Sequence, residues 1–304
     1  MRVVYCYIGT LPDYTIDTVL QTRLFFDGPI DFILSELTSP LIPILESYRV
    51  NIIPYETVRH SEFEACIQHY GFKFSIVEGL KGRERLFVYA FERFFVLYKW
   101  LLRCKAEDIL FLELDNLLYD DPCIWEESFR QKDMAFMIDN YDRCASGICY
   151  IKNQDILHEF TKCCIRYISE TDISQKFMTE MQALDAFWKQ EPDRVQLLPT
   201  HWPSPSVPPE TYENYARYHT LFDAAAIGIY FGGVDPYHTN GLICTGLRSI
   251  WSFLDYTAYQ FEWREDAKGR MIPYVLHDTW IRINNLHIHS KNLTPYLSIT
   301  HNRS

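Results

Sequence analysis

The chain has nine cysteines among 304 residues but no CxxC pair, so neither a zinc site nor a thioredoxin-type redox pair is signalled. Their odd number, irregular spacing and the lack of a secretory signal point to reduced thiols and a cytoplasmic setting. There is no Lys/Arg-rich block, and the net charge is −11. A surface that tracks a nucleic-acid backbone needs clustered positive charge, so nucleic acid is not expected as a partner. No run approaches the ~20 apolar residues that span a bilayer, so no membrane span is expected. No Gly-rich loop ends in Gly-Lys-Ser/Thr and no GxGxxG follows the first strand, which counts against phosphate-loop and dinucleotide fingerprints. Internal repeats, low-complexity tracts and obvious linkers are also lacking.

Apolar content of 48% and charged content of 23% are ordinary for a globular protein of this length. Aromatics are plentiful, with 21 Tyr, 20 Phe and 7 Trp; most belong in a core, though aromatic faces also suit sugar rings. Val3 to Ile8 reads as a strand and Ile16 to Phe25 as a helix with Val19, Leu20 and Leu24 on one face. After the turn Asp27-Gly28-Pro29, Ile30 to Leu34 reads as a second strand. Strand, helix, strand in so short a span is the signature of a parallel crossover unit. Phe72 to Val77 is strand-like, and Arg83 to Cys104 is the longest helical pattern, with Leu86, Ala90, Phe94, Leu97 and Leu101 as its stripe. Further strands are expected at Ile109 to Leu114, Met134 to Ile138 and Gly147 to Ile151. Helices are expected at Asp155 to Ile168 and Ser174 to Trp188, ahead of a proline-rich passage over 200–209.

Within this pattern Asp108-Ile-Leu-Phe-Leu-Glu113-Leu-Asp115-Asn116 ends an apolar strand in two carboxylates, Glu113 and Asp115. In an extended chain i and i+2 face the same side. Paired acids there repel each other unless a cation or a solvated mouth receives them. Oxygen-ligated Mg²⁺ or Mn²⁺ resolves the repulsion, especially with a substrate phosphate in the shell; an acidic turn running into Asp120-Asp121-Pro122 is the plainer alternative. In open α/β sheets ligands bind at the carboxyl ends of strands, which is where this pair falls.

Two later segments bear on that pair. Leu221-Phe-Asp223-Ala-Ala-Ala-Ile-Gly228-Ile-Tyr-Phe-Gly232-Gly233-Val-Asp235-Pro236 places a small-residue helix before a double glycine that lets backbone approach a ligand, or simply stops the helix. Ile283-Asn-Asn-Leu-His287-Ile-His289-Ser-Lys291 puts two imidazoles and an ammonium on one side of an expected strand. Imidazole suits a borderline divalent ion and an ammonium suits phosphate.

These strings together resemble a GT-A-type nucleotide-sugar glycosyltransferase, in particular bacterial and giant or algal DNA-virus members of that group, over roughly residues 1 to 295. The resemblance implies an α/β fold: a Rossmann-related, mostly parallel central sheet flanked by helices, in a single domain with a C-terminal elaboration. Residues 1–120 would form the nucleotide half and 121–304 the acceptor half, with metal and diphosphate residues returning near 287–291. It further implies that Asp115 binds Mn²⁺ or Mg²⁺ and that Glu113 binds the metal or the ribose. His289, or alternatively His287, would add a third ligand, and Lys291 would take the diphosphate. Tyr7, Ile8, Gly9 and Thr10 would border the nucleotide of a UDP- or GDP-sugar, with Arg83 or Arg85 reaching the donor. An inverting enzyme needs a carboxylate base, and Asp223 is the first candidate, with Asp185 and Asp235 as alternatives; a retaining enzyme needs none. Trp202, Tyr212, Tyr215 and Tyr218 could offer an acceptor platform. The departure from the group's pattern is Glu113, where most members have Asp. The implied activity is transfer of a hexosyl or pentosyl unit to a glycan, glycoprotein or lipid-linked acceptor. Alternatives are a nucleotidyl- or phosphotransferase on the same acid pair and a non-catalytic carbohydrate-binding relative.

Overall fold

A computed structural model of the chain describes residues 1–74, 85–174, 178–235 and 245–299. The N-terminal crossover forms as expected: β1 (Arg2–Tyr7), α1 (Thr15–Phe25) and β2 (Ile30–Leu34), followed by α2 (Ile42–Ser47) and β3 (Val50–Pro54). Next come α3 (Ser61–Tyr70), α4 (Leu86–Cys104), β4 (Ile109–Leu112), β5 (Asn116–Leu118) and α5 (Glu126–Phe129). The middle of the chain supplies β6 (Met134–Asn140), β7 (Arg143–Ile151), α6 (Gln154–Glu170), α7 (Glu180–Gln190) and β8 (Val195–Leu198). The rest contains α8 (Tyr215–Tyr218), α9 (Ala226–Gly232) and β9 (Gln260–Glu265), then β10 (Met271–Leu276), β11 (Trp280–Arg282) and β12 (Asn285–His287).

Seven strands make one sheet in the order β3-β2-β1-β4-β7-β6-β8. All neighbouring pairs are parallel except those of β7, which runs against both β4 and β6. This is the mixed, mostly parallel sheet flanked by helices that was expected. Alternation along the strands divides the core in two. Val4, Ile109, Phe111 and Phe136 face the layer of α3, α4, α6 and α7, while Val3, Tyr5, Leu110 and Leu112 face the side of α1 and α2. A third apolar cluster, including Leu117, Ile227, Val275 and Leu286, knits β5, α9 and β12 to the three-stranded sheet β11-β10-β9. Among the described residues no helix is long and apolar enough to cross a membrane.

Several local expectations need correction. Residues Gly71–Phe74 form a 3₁₀ turn instead of a strand start, and 75–77 lie outside the described residues. The α4 stripe is broader and shifted: Leu86 is 40% exposed, and Phe91, Phe95 and Trp100 join Phe94, Leu97 and Leu101 in the core. α7 starts later than expected, where Thr179 and Gln182 form a reciprocal capping box. The largest surprise is α1, whose buried face carries, besides Val19 and Phe25, four polar residues: Thr15, Thr18, Gln21 and Thr22. Thr18 Oγ1 donates to the Leu114 carbonyl, and Gln21 Nε2 donates to the Leu118 carbonyl at 2.6 Å. An apolar helix face here would strand two buried carbonyls on either side of Asp115. The helix therefore satisfies the acid segment instead of merely covering it.

Candidate functional site

The acid pair does not sit on one extended strand. β4 ends at Leu112, and the Asn116 N–H donates to the Glu113 carbonyl at 3.1 Å, closing a turn over Glu113–Asn116. The chain then enters β5, which pairs antiparallel with β12 so that Asn116 faces His287. The Ile288 N–H continues this ladder to the Asp115 carbonyl at 2.8 Å. Residues some 170 positions apart in sequence are thus locked in register by backbone hydrogen bonds, at the carboxyl end of β4.

The result is a cluster of Glu113, Asp115 and His287 whose ligand atoms lie within 4.8 Å of one another. His287 Nε2 is 3.3 Å from Asp115 Oδ1 and 3.5 Å from Glu113 Oε2. The other ring nitrogen, Nδ1, donates to the Ala224 carbonyl at 2.8 Å. That bond fixes the proton on Nδ1 and leaves Nε2 for a ligand or a second proton. Burial alone would push the His287 pKa down, but the Asp115 and Glu113 carboxylates override it and lift the pKa to about 9. Asp115 is also buried, yet Lys291 and His287 hold its carboxyl well below the usual range. Lys291 Nζ donates to Asp115 Oδ2.

This donor set fits a divalent cation. Two carboxylates and an imidazole with its far nitrogen already hydrogen-bonded are the ligands of a borderline or hard metal. Within the set His287 stands where His289 was the preferred expectation. The strand ends at His287 and the chain turns, with the Lys291 N–H returning to the Ile288 carbonyl at 3.0 Å. The two imidazoles therefore do not line one strand face; their ring centroids lie 4.5 Å apart at a tilt of 64°.

Glycines make this packing possible. A Cβ on Gly228 would lie 2.0 Å from the His287 carbonyl oxygen, and one on Gly147 would lie 2.3 Å from Asn116 Nδ2 and 3.0 Å from His287 Nδ1. The small-residue character of 224–228 thus serves close packing of α9 on β12. Asp223 anchors the same junction. Its Oδ1 accepts from the Ile227 N–H at 2.9 Å, and its Oδ2 accepts from the N–H groups of Gly228 at 2.8 Å and His287 at 2.9 Å. The residue is 2% exposed, and burial lifts its pKa to about 6 against those three donors. Asp185 pairs with Lys189 at 2.8 Å, and Asp235 is also buried.

Sequence reasoning passed over the support beneath Glu113. Arg93 on α4 reaches Glu113 Oε1 at 2.8 Å and Glu180 Oε1 at 3.0 Å, and donates to Ser146 Oγ at 3.0 Å. Ser146 Oγ in turn donates to Glu113 Oε1 at 3.1 Å. The longer arm of Glu113 is therefore held on one oxygen, with the other turned to His287. The available signal was the adjacent charges Glu92-Arg93 inside an otherwise apolar helical run.

Tyr7 ends β1, which pairs with β4, and Ile8, Gly9 and Thr10 follow it at the same carboxyl end of the sheet, where the Gly9 N–H donates to Ser35 Oγ at 2.8 Å. Arg83 lies outside the described residues; Arg85 is exposed, with its guanidinium over the Tyr89 ring. Trp202 and Tyr218 are buried core residues, which removes two of the four rings from the expected acceptor platform, while Tyr212 and Tyr215 are half-buried.

No family model matches the chain, and no curated protein matches it. Among solved structures, mouse xyloside xylosyltransferase 1 in its apo form aligns at a TM-score of 0.45 and 9% identity, over 66% of this chain and 86% of that one. The PaToxG glycosyltransferase aligns at 0.37 and 16% identity, over 63% and 69%. The glycosyltransferase GlyE of Streptococcus pneumoniae TIGR4 aligns at 0.39 and 12% identity, over 65% of this chain and 44% of that one. All three are glycosyltransferases, but at TM-scores below 0.5 none of these likenesses bears on the chemistry of the site.

Proposed function

We propose that the chain is a metal-dependent glycosyltransferase that moves a sugar from a UDP- or GDP-sugar to a glycan, glycoprotein or lipid-linked acceptor. The observation that carries this reading is the convergence of Glu113, Asp115 and His287, with Lys291 beside them, at the carboxyl end of a mostly parallel sheet. Glu113, Asp115 and His287 would hold Mn²⁺ or Mg²⁺, which supplies Lewis-acid stabilisation of the departing diphosphate. Lys291 binds that diphosphate as a point charge, and the loop Tyr7–Thr10 borders the base. His287 is the third protein ligand, and Asp223 is a positioning residue that holds the His287 backbone.

A nucleotide-sugar panel with a hydrolysis readout tests the activity. Donor hydrolysis that requires Mn²⁺ or Mg²⁺ and disappears in a folded Asp115→Asn variant supports it. Release of pyrophosphate from a nucleoside triphosphate plus a sugar phosphate would instead assign a nucleotidyltransferase.

A further inference from the structure

Asp115 meets two basic side chains at once. Lys291 Nζ donates to its Oδ2, while His287 Nε2 stands 3.3 Å from its Oδ1. Asp115 itself is 5% exposed, so its carboxylate depends on close partners such as these. Lys291 differs from His287 in two ways. Its side chain is 33% exposed, so it sits at the mouth of the cluster and can leave without exposing a core. Its backbone is left-handed, with φ of 63°, in the turn closed by the Lys291 N–H to the Ile288 carbonyl. That turn hangs directly on β12, whose ladder continues to the Asp115 carbonyl. The ammonium is therefore delivered onto Asp115 by fixed backbone, in a conformation that non-glycine residues rarely adopt. Nearby, Glu113 and Glu180 share the Arg93 guanidinium, while Lys291 is paired with Asp115.

We propose that Lys291 is a displaceable counter-ion that makes this site select a metal–diphosphate pair over either component alone. The proposal rests on the metal–diphosphate reading of the site given above. A divalent cation arriving by itself competes for Asp115 Oδ2 with an ammonium held there by the fold. A diphosphate arriving by itself has to draw the ammonium off Asp115, which leaves that buried carboxylate without its counter-ion. With both present the charges would be matched in pairs: Asp115 would be free to hold the metal, and the released Lys291 ammonium would be free to pair with the diphosphate. Each ligand then strengthens the other, and by linkage the factor is the same in both directions.

The experiment uses the full chain and its Lys291→Met and Lys291→Arg variants at one fixed pH, with folding checked by circular dichroism. Mn²⁺ alone, inorganic pyrophosphate, UDP or GDP alone, and each combined with Mn²⁺ are titrated by calorimetry, with Mn²⁺ paramagnetic resonance for the free ion. Lys291→Met should bind bare Mn²⁺ about tenfold more tightly than the wild type, near the lower end of typical coupling factors. The same variant should bind the Mn²⁺–diphosphate combinations more weakly, while Lys291→Arg keeps bare Mn²⁺ binding weak. If Lys291→Met gains nothing for bare Mn²⁺ yet still loses the diphosphates, Lys291 is a phosphate contact only and the counter-ion proposal is overturned. If folded wild-type protein takes up no Mn²⁺ in any combination, the metal–diphosphate reading fails and the proposal falls with it.

Discussion

The Nδ1 of His287 is hydrogen-bonded to the carbonyl of Ala224 at 2.8 Å, which turns Nε2 toward Asp115 and Glu113. One backbone carbonyl thereby sets the tautomer of a residue that meets two carboxylates. It also explains why α9 must press so closely on β12: the acceptor lies two residues before the helix, and His287 lies at the end of the strand.

That closeness predicts the effect of a single methyl group. Gly228→Ala places a Cβ 2.0 Å from the His287 carbonyl oxygen, a backbone atom that cannot swing aside. Overpacking of this kind costs about 1–3 kcal/mol. Denaturant unfolding should show a loss at the upper end of that range, together with weaker Mn²⁺ binding, because α9 and His287 can only separate. Wild-type stability with wild-type metal affinity would contradict this packing.

Titration of His287 gives a pH signature. Its pKa rises from 6.5 to about 9 on folding, because the nearby Asp115 and Glu113 charges outweigh its burial. A raised folded pKa stabilises fully below 6.5, and that contribution fades as pH climbs through 9. For the metal-free protein the group contributes roughly 3 kcal/mol at neutral pH, so unfolding should become easier between pH 6.5 and 9. Mn²⁺ must displace the same proton, so its apparent affinity should rise about tenfold per pH unit over that interval. Calorimetry in buffers of different ionisation enthalpy counts the released proton; a pH-independent affinity would contradict the assignment of His287 as a ligand.

Asp223 separates support from chemistry. Asp223→Asn can keep one acceptor oxygen but turns an amide toward backbone N–H donors, two of which meet at Oδ2. Leaving buried donors unpaired costs about 1–3 kcal/mol each, so thermal unfolding should reveal clear destabilisation and metal affinity should fall. A variant with unchanged melting and metal binding but no transfer would instead return Asp223 to the role of base.

The polar face of α1 is testable in the same way. Thr18→Val keeps the shape of the side chain but strands the buried Leu114 carbonyl, with an expected loss of about 1–3 kcal/mol in denaturant unfolding. No loss would mean that the carbonyl finds another donor.

The strand–helix–strand opening, the buried strand before Glu113 and the helix α6 were legible because their apolar periodicity and boundary residues are local signals. That Glu113 and Asp115 lie close together after that strand was legible from their spacing. The choice between His287 and His289 was not, since it depends on where β12 stops and on its register with β5, a contact between chain segments far apart in sequence. Likewise α1 reads as apolar through Val19, Leu20 and Leu24, while its partner carbonyls, which demand Thr18 and Gln21, lie almost a hundred residues away. Arg93 was hidden inside an apolar run because its partners Glu113 and Glu180 come from two other elements. Periodicity reports which face is buried; it does not report what that face meets.

The central claim, that Glu113, Asp115 and His287 hold a metal for a nucleoside diphosphate, is tested most directly by one calorimetric series. UDP and GDP are titrated into wild-type protein and Asp115→Asn with and without Mn²⁺. Binding of one nucleotide that strengthens at least about tenfold with Mn²⁺, and loses that gain in folded Asp115→Asn, is the predicted result. Binding that is absent, or indifferent to both Mn²⁺ and Asp115, would contradict it.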